Sequence, residues 1–249
     1  MNIPTYPPLN TLKAVANNIW IVDGDIIHMS VPFIQVPFST RMTVVRLNNG
    51  DMWLHSPIAF DADLADEILA LGPIKHLVSP NAIHYAYIAE WKQHFPDALA
   101  WSSPGVEKRA QSQNIEINFD QALEDTPPKE WENDIKQLIF KGGRVIQEVI
   151  FYHIESRTLI LTDLIENFEP DKTKSTLWKT VHKIAKISAP NGTTPIDYRM
   201  SFIGNKKAAK ESLEKIISWQ PKRIIIAHGK WIEDNGVEEL RKRMSWILK

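Results

Sequence analysis

The sequence predicts an α/β fold within one domain spanning residues 1–249, on three observations. A strand, loop, helix and second strand fit within Ile74–Trp101, the length of a βαβ unit. An Asn-Gly-containing turn at Asn48–Asp51 separates two β-rich runs and marks a hairpin. Helical and strand periods then alternate through the C-terminal part of the chain, and no linker-like stretch divides it. From periodicity alone, one doubly wound sheet is the runner-up architecture.

Asn18–Gly24 is a short β-rich run closed by a turn signal, and the hairpin pairs Thr43–Leu47 with Met52–His55. Ser56-Pro57 stops the second of these strands. Asp61–Leu71 follows with apolar residues at helical spacing, acids in its first turn and Gly72 after its end, which predicts a helix. The βαβ unit consists of strand Ile74–Val78, helix Ala86–His94 and strand Ala98–Trp101. Residues 107–135 are polar and carry Pro127-Pro128, so they read as a helix over Val106–Gln113 and a surface connection. Strands Val145–His153 and Arg157–Thr162 meet at Glu155-Ser156. An irregular stretch over residues 166–203 contains one helix near Leu177–Ile187. Helix Lys206–Trp219, strand Arg223–Ala227 and amphipathic helix Val237–Leu248 complete the chain.

Composition narrows the chemistry. The 249 residues include no cysteine, which removes thiolate metal sites, cysteine nucleophiles and redox pairs, so a metal must rest on His, Asp or Glu. Lys and Arg number 29 against 30 Asp and Glu, leaving no global field for nucleic acid or an anionic membrane, although a local patch is compatible with that balance. Neither a secretory signal nor a run of 18 apolar residues is present, so a cytoplasmic protein is expected, with neither nucleic acid nor a membrane as partner. Nine tryptophans are scattered along the chain, as packing residues are.

Three apolar strands end in residues able to bind a metal or move a proton. His84 lies in the loop after Leu77-Val78, Asp163 follows Leu159-Ile160-Leu161-Thr162, and His228 follows Ile224-Ile225-Ile226-Ala227 with Gly229 beside it. The carboxyl ends of strands are where α/β folds build sites, because the sheet is rigid while the loops vary.

The order of elements and these strand ends resemble the metallo-β-lactamase fold family over most of the chain. "IKHLVSPNAIHYAYIAEW" stands where that family has its histidine-rich first motif, "RTLILTD" resembles its aspartate strand, and "RIIIAHG" resembles its closing histidine-glycine motif. Within the family the chain is most similar to a divergent branch, the domain of unknown function DUF4336. The resemblance implies a four-layer αββα sandwich of two mixed sheets with helices outside. Its first motif is reduced to His84, and Gly142–Gln147 replaces the segment that carries a further histidine, so it implies one metal at most.

The ligand set so implied is His84, Asp163 and His228, with Glu148 or His153 as a fourth group, since five positions put those two on opposite faces of a strand. Two imidazoles and a carboxylate suit one Zn, Fe or Mn ion, and Asp163 and His84 are the expected catalytic residues. Asn81, Arg199 and His153 are candidates for substrate contact, and His55 for support behind the ligands. Each also has an ordinary role: Asn81 in an Asx turn, Arg199 in a surface ion pair, His84 as a helix cap. Two functions fit: a metal-dependent hydrolase of a small-molecule ester, lactone, amide or phosphoester, or an inactive relative, metal-free, whose cleft holds a small ligand.

Overall fold

The computed structural model describes residues 5–31, 34–145, 147–173 and 175–248. Two sheets stack face to face. The first is ordered β1 (Lys13–Ala16), β2 (Ile19–Val31), β3 (Ile34–Arg46), β4 (Met52–His55), β5 (Ile74–Val78), β6 (Leu99–Ser102) and β7 (Gln121–Ala122). It is antiparallel from β1 to β4 and parallel from β4 to β7. The second is ordered β11 (Arg223–Ile225), β10 (Thr158–Ile160), β9 (Val149–His153) and β8 (Ile135–Ile139), with β10 and β11 parallel.

The alternation of side chains along the strands creates three apolar layers between four structural ones. On one face of the first sheet, Val22, Val44, Leu54, Leu77 and Ala100 pack under α1 (Ala62–Leu69), α2 (Ile88–His94) and α3 (Val106–Ser112). Their sequence neighbours Ile21, Val45, Trp53, Val78 and Trp101 face the other way and meet Phe151, Ile160 and Ile225 of the second sheet. The far side of that sheet is covered by α6 (Lys206–Ser218), α7 (Gly236–Arg243) and α8 (Ser245–Leu248). The fold is therefore the four-layer αββα sandwich, and the single doubly wound sheet is excluded. In the chain, α4 (Thr176–Ile184) and α5 (Ile196–Met200) lie between β10 and α6.

Local chemistry sets several boundaries. Asp61 caps α1 by accepting the Leu64 N–H at 2.9 Å. Strand β9 starts at Val149 rather than Val145, which is exposed outside the sheet. The C-terminal helix is broken at Met244 into α7 and α8, and α5 occupies part of the stretch expected to be irregular. The hairpin of β2 and β3 extends far beyond the Asn18–Gly24 and Thr43–Leu47 runs, past a register shift between Asp23 and Ile26. Strand β8, which starts at the end of the expected connection where no strand is predicted, forms the edge of the second sheet.

Candidate metal centre

The loop after β5 and the ends of β10 and β11 converge at the cleft between the sheets. Parallel pairing of β10 with β11, extended by the Leu161 N–H to the Ile225 carbonyl at 2.9 Å, makes Asp163 and His228 neighbours. The loop after β5 is tied to the second sheet by the Val149 N–H donating to the Pro80 carbonyl at 2.8 Å, which brings in His84.

One ligand atom each from His84, Asp163 and His228 lies within 4.8 Å of the others. Asp163 Oδ1 is 3.2 Å from His84 Nε2 and 3.3 Å from His228 Nε2. The outer nitrogens are anchored: His84 Nδ1 is 2.8 Å from Ser56 Oγ, and His228 Nδ1 is 2.9 Å from the Ser39 carbonyl. A carbonyl only accepts, so His228 Nδ1 donates to it, which fixes the ring with Nε2 directed at the centre. Burial opposes the Asp163 charge, but the His84 and His228 rings override it and hold the carboxyl well below the usual carboxylate range.

A shell of polar groups fixes these three. Asn81 donates to Asp163 Oδ2 at 2.6 Å and to Thr162 Oγ1 at 2.9 Å, while its own oxygen accepts the Ile83 and His84 backbone N–H groups at 2.9 and 3.1 Å. The Asx turn and a contact within the site are thus made by one side chain. Glu148, expected as a fourth ligand, lies beneath the aspartate loop. Its carboxylate accepts the backbone N–H groups of Thr162, Asp163 and Leu164 at 2.7, 2.9 and 2.9 Å. Burial and the nearby Asp163 charge push Glu148 up to about 7, against the pull of those amides.

His153 and Arg199 are not brought to the centre. His153 sits at the opposite end of β9, paired across the sheet with the first residue of β10, and its Nδ1 meets Ser156 Oγ at 2.8 Å. Arg199 is turned away from the cleft, bonding the Thr194 carbonyl and the Thr193 hydroxyl and lying over the Trp246 ring. His55 packs on Trp53 and Phe151 in the inter-sheet layer, where burial lowers its pKa to about 3.

Two contributors escape the sequence reading. Arg41 is buried and paired with Asp23 at 2.7 Å, and its Nη1 donates to the Ile226 and Gly229 carbonyls at 2.8 and 2.9 Å, on either side of His228. Gly229 itself has φ +94°, and a Cβ there would lie 2.2 Å from the Asn167 carbonyl oxygen, so the turn after His228 requires glycine. Glu166 is 6% exposed, lines the cleft and makes no side-chain hydrogen bond among the described residues. Burial pushes it up to about 8, with His228 pulling the other way.

The cleft above the triad has a volume of about 360 Å³. Its walls mix apolar groups such as Phe38, Ile83 and Ile115 with Tyr85, Tyr87 and Arg109. This is the pattern of a small-molecule site, concave and mostly apolar with a few convergent polar groups.

Solved structures with the same architecture include metallo-β-lactamases. DIM-1 exposed to ceftazidime aligns with TM-score 0.62 and 16% identity over 95% of this chain and 96% of that one. FIM-1 from Pseudomonas aeruginosa, in its mono-zinc form, aligns with TM-score 0.61 and 13% identity over 99% of this chain and 96% of its own. The enzyme from Hirschia baltica gives 0.59 and 15%, over 95% and 96%. At these identities the likeness is one of fold. No functionally curated protein matches the chain. The family model for the domain of unknown function DUF4336 matches residues 16–183, more than half of the sequence, and the chain belongs to that family, a divergent branch of the metallo-β-lactamase fold.

Proposed function

We propose that the protein is a hydrolase that uses one divalent metal, Zn, Fe or Mn, held by His84, Asp163 and His228. The observation that carries this reading is the donor geometry: two imidazole Nε2 atoms converge on one carboxylate oxygen, and the outer nitrogen of each ring is already anchored. Such outer hydrogen bonds orient imidazole ligands and raise their basicity. When bound, the ion supplies Lewis acidity to polarise a carbonyl or phosphoryl oxygen of the substrate.

The chain's own residues supply the rest. Asn81 holds Asp163 Oδ2 and leaves Oδ1 facing the rings. Glu148 locks the loop that carries Asp163 through three amides. Arg41 clamps both sides of His228. Glu166, whose pKa burial raises, places its carboxyl inside the cleft and is suited to pass a proton to a leaving group. The apolar walls exclude water from the body of a small ester, lactone, amide or phosphoester substrate.

Elemental analysis of protein purified without added metal tests this reading. Close to one transition-metal ion per chain is expected, with loss of the ion in His228→Ala and a rise in melting temperature when Zn, Mn or Fe is added to the stripped protein. Protein free of metal and indifferent to added ions would refute the hydrolase and favour a cleft that only binds a small ligand.

A further inference from the structure

An amphipathic helix normally turns its apolar stripe inward. Helix α4 does the reverse: Leu177, Val181 and Ile184, spaced i, i+4 and i+7, are 70%, 37% and 68% exposed, and the only buried residue of the helix is His182. A second ridge with the same spacing follows on α5 and just beyond it, where Ile196, Met200 and Ile203 are 44%, 64% and 62% exposed. The two segments are joined where the Ile196 N–H donates to the Ala185 carbonyl at 3.2 Å. Apart from Leu69 and Val145, these six are the large hydrophobic side chains left exposed among the described residues.

The surrounding charge is mostly positive, with Asp197 on α5 as the one acid between Thr176 and Lys210. Thr176–Lys186 carries Lys179, Lys183 and Lys186 and no acid, and Ile203–Lys210 carries Lys206, Lys207 and Lys210 and no acid. All six lysines are exposed. The chain as a whole has a net charge of −1, so this is a local basic patch on a nearly neutral protein.

From this we infer that α4 and α5 form a docking surface for an anionic lipid membrane, with the two ridges entering the headgroup boundary and the lysines meeting lipid phosphates. Short surface helices that expose an apolar stripe flanked by lysine have the form of interfacial helices. A second copy of this chain is a poorer occupant, because a two-fold interface would set each lysine-rich flank against its like. A groove-forming partner fits less well, since the patch is built of projecting ridges. The placement also bears on access: Pro195, Asp197 and Tyr198 line the cleft and alternate along the chain with Ile196 and Met200 of the docking face. Docking would set the cleft mouth beside the lipid surface. The inference does not depend on hydrolysis or on a bound metal.

Vesicle flotation of the intact protein tests it, comparing phosphatidylcholine vesicles with vesicles in which a quarter of the lipid is phosphatidylglycerol. Flotation is expected with the anionic vesicles, falling by about tenfold in Leu177→Ser/Ile184→Ser and by a similar factor in Lys179→Glu/Lys183→Glu. The altered side chains are exposed, so melting temperature and metal content should match the parent and show that folding is intact. No flotation with either vesicle, equal flotation with both, or undiminished flotation of the variants would overturn the inference. A dimer in solution that Leu177→Ser/Ile184→Ser converts to monomer would also overturn it and assign the face to a second copy.

Discussion

Glu148 accepts the backbone N–H of Asp163 at 2.9 Å, and its remaining lone pairs take the amides on either side. The carboxylate therefore dictates the path of the loop that presents the central ligand. Replacing it by glutamine keeps the volume but turns an N–H₂ group toward amide donors, leaving at least one buried N–H unpaired. Glu148→Gln should lower unfolding free energy by about 2–4 kcal/mol, and it should weaken metal binding about tenfold or more through misplacement of Asp163. Urea unfolding and competition against a metal chelator measure the two effects separately. A variant with unchanged metal affinity would reduce Glu148 to a purely structural role.

The three groups of the triad are legible in the sequence because Asp163 and His228 close runs of apolar residues and His84 lies in the loop after another, and such runs announce where a buried strand ends. The contributions of Arg41 and Glu166 are hidden for physical reasons. Arg41 sits within the strand "FSTRMTVV", where a buried charge breaks no visible pattern, and its partner Asp23 comes from the neighbouring strand of a hairpin whose length the sequence understates. Glu166 lies beyond any periodic segment. The one signal available is that it follows the fully buried Leu164 and Ile165, so the segment is apolar enough to carry an acid inward. Asn81 and Glu148 are readable as polar residues near strand ends, but spacing does not reveal that their bonds run to the Asp163 loop. Strand β8 carries an alternating pattern in Ile135–Ile139, obscured by the long polar stretch ahead of it.

Arg41 joins two functions that one double variant can separate. Arg41→Met removes the guanidinium and leaves Asp23 buried with only Lys13 at 2.8 Å, so a loss of about 3–5 kcal/mol is expected. Adding Asp23→Leu removes the stranded charge and should restore most of that stability. It cannot restore the clamp on the Ile226 and Gly229 carbonyls, so metal affinity should stay reduced in the double variant. Thermal unfolding of stripped protein, alongside chelator competition, checks both halves. Recovery of both together would mean that Arg41 serves the fold alone.

His76 supplies a pH dependence remote from the metal ligands. It is buried among Trp101 and Trp131, accepts the Trp101 Nε1–H at 3.3 Å, and burial lowers its pKa to about 4. The unfolded chain takes up this proton below about pH 6.5, and the folded chain does so only near 4. The stability from the neutral ring is thus fully present above about pH 6.5 and is lost as pH falls toward 4, by about 3 kcal/mol in all. His76→Asn, whose oxygen can replace Nδ1 as acceptor, should be less stable at neutral pH yet show a flatter decline across that window. Denaturant unfolding at a series of pH values measures the slope, and an unchanged slope would exclude His76 as its source.

Glu166 gives the sharpest test of the proposed hydrolysis, because a proton donor to the leaving group has a signature that a packing residue lacks. A p-nitrophenolate leaving group departs without a proton, whereas an alkoxide requires one. Glu166→Gln preserves size and shape, so folding and metal content should be unchanged. Hydrolysis of an alkyl ester should then fall by about a hundredfold, while a p-nitrophenyl ester of the same acid should lose only a small factor. The ratio of the two rates is the readout. A purely structural disturbance of the cleft would slow both substrates alike, and equal losses would remove Glu166 from proton transfer while leaving the His84, Asp163 and His228 centre to be judged on its metal content.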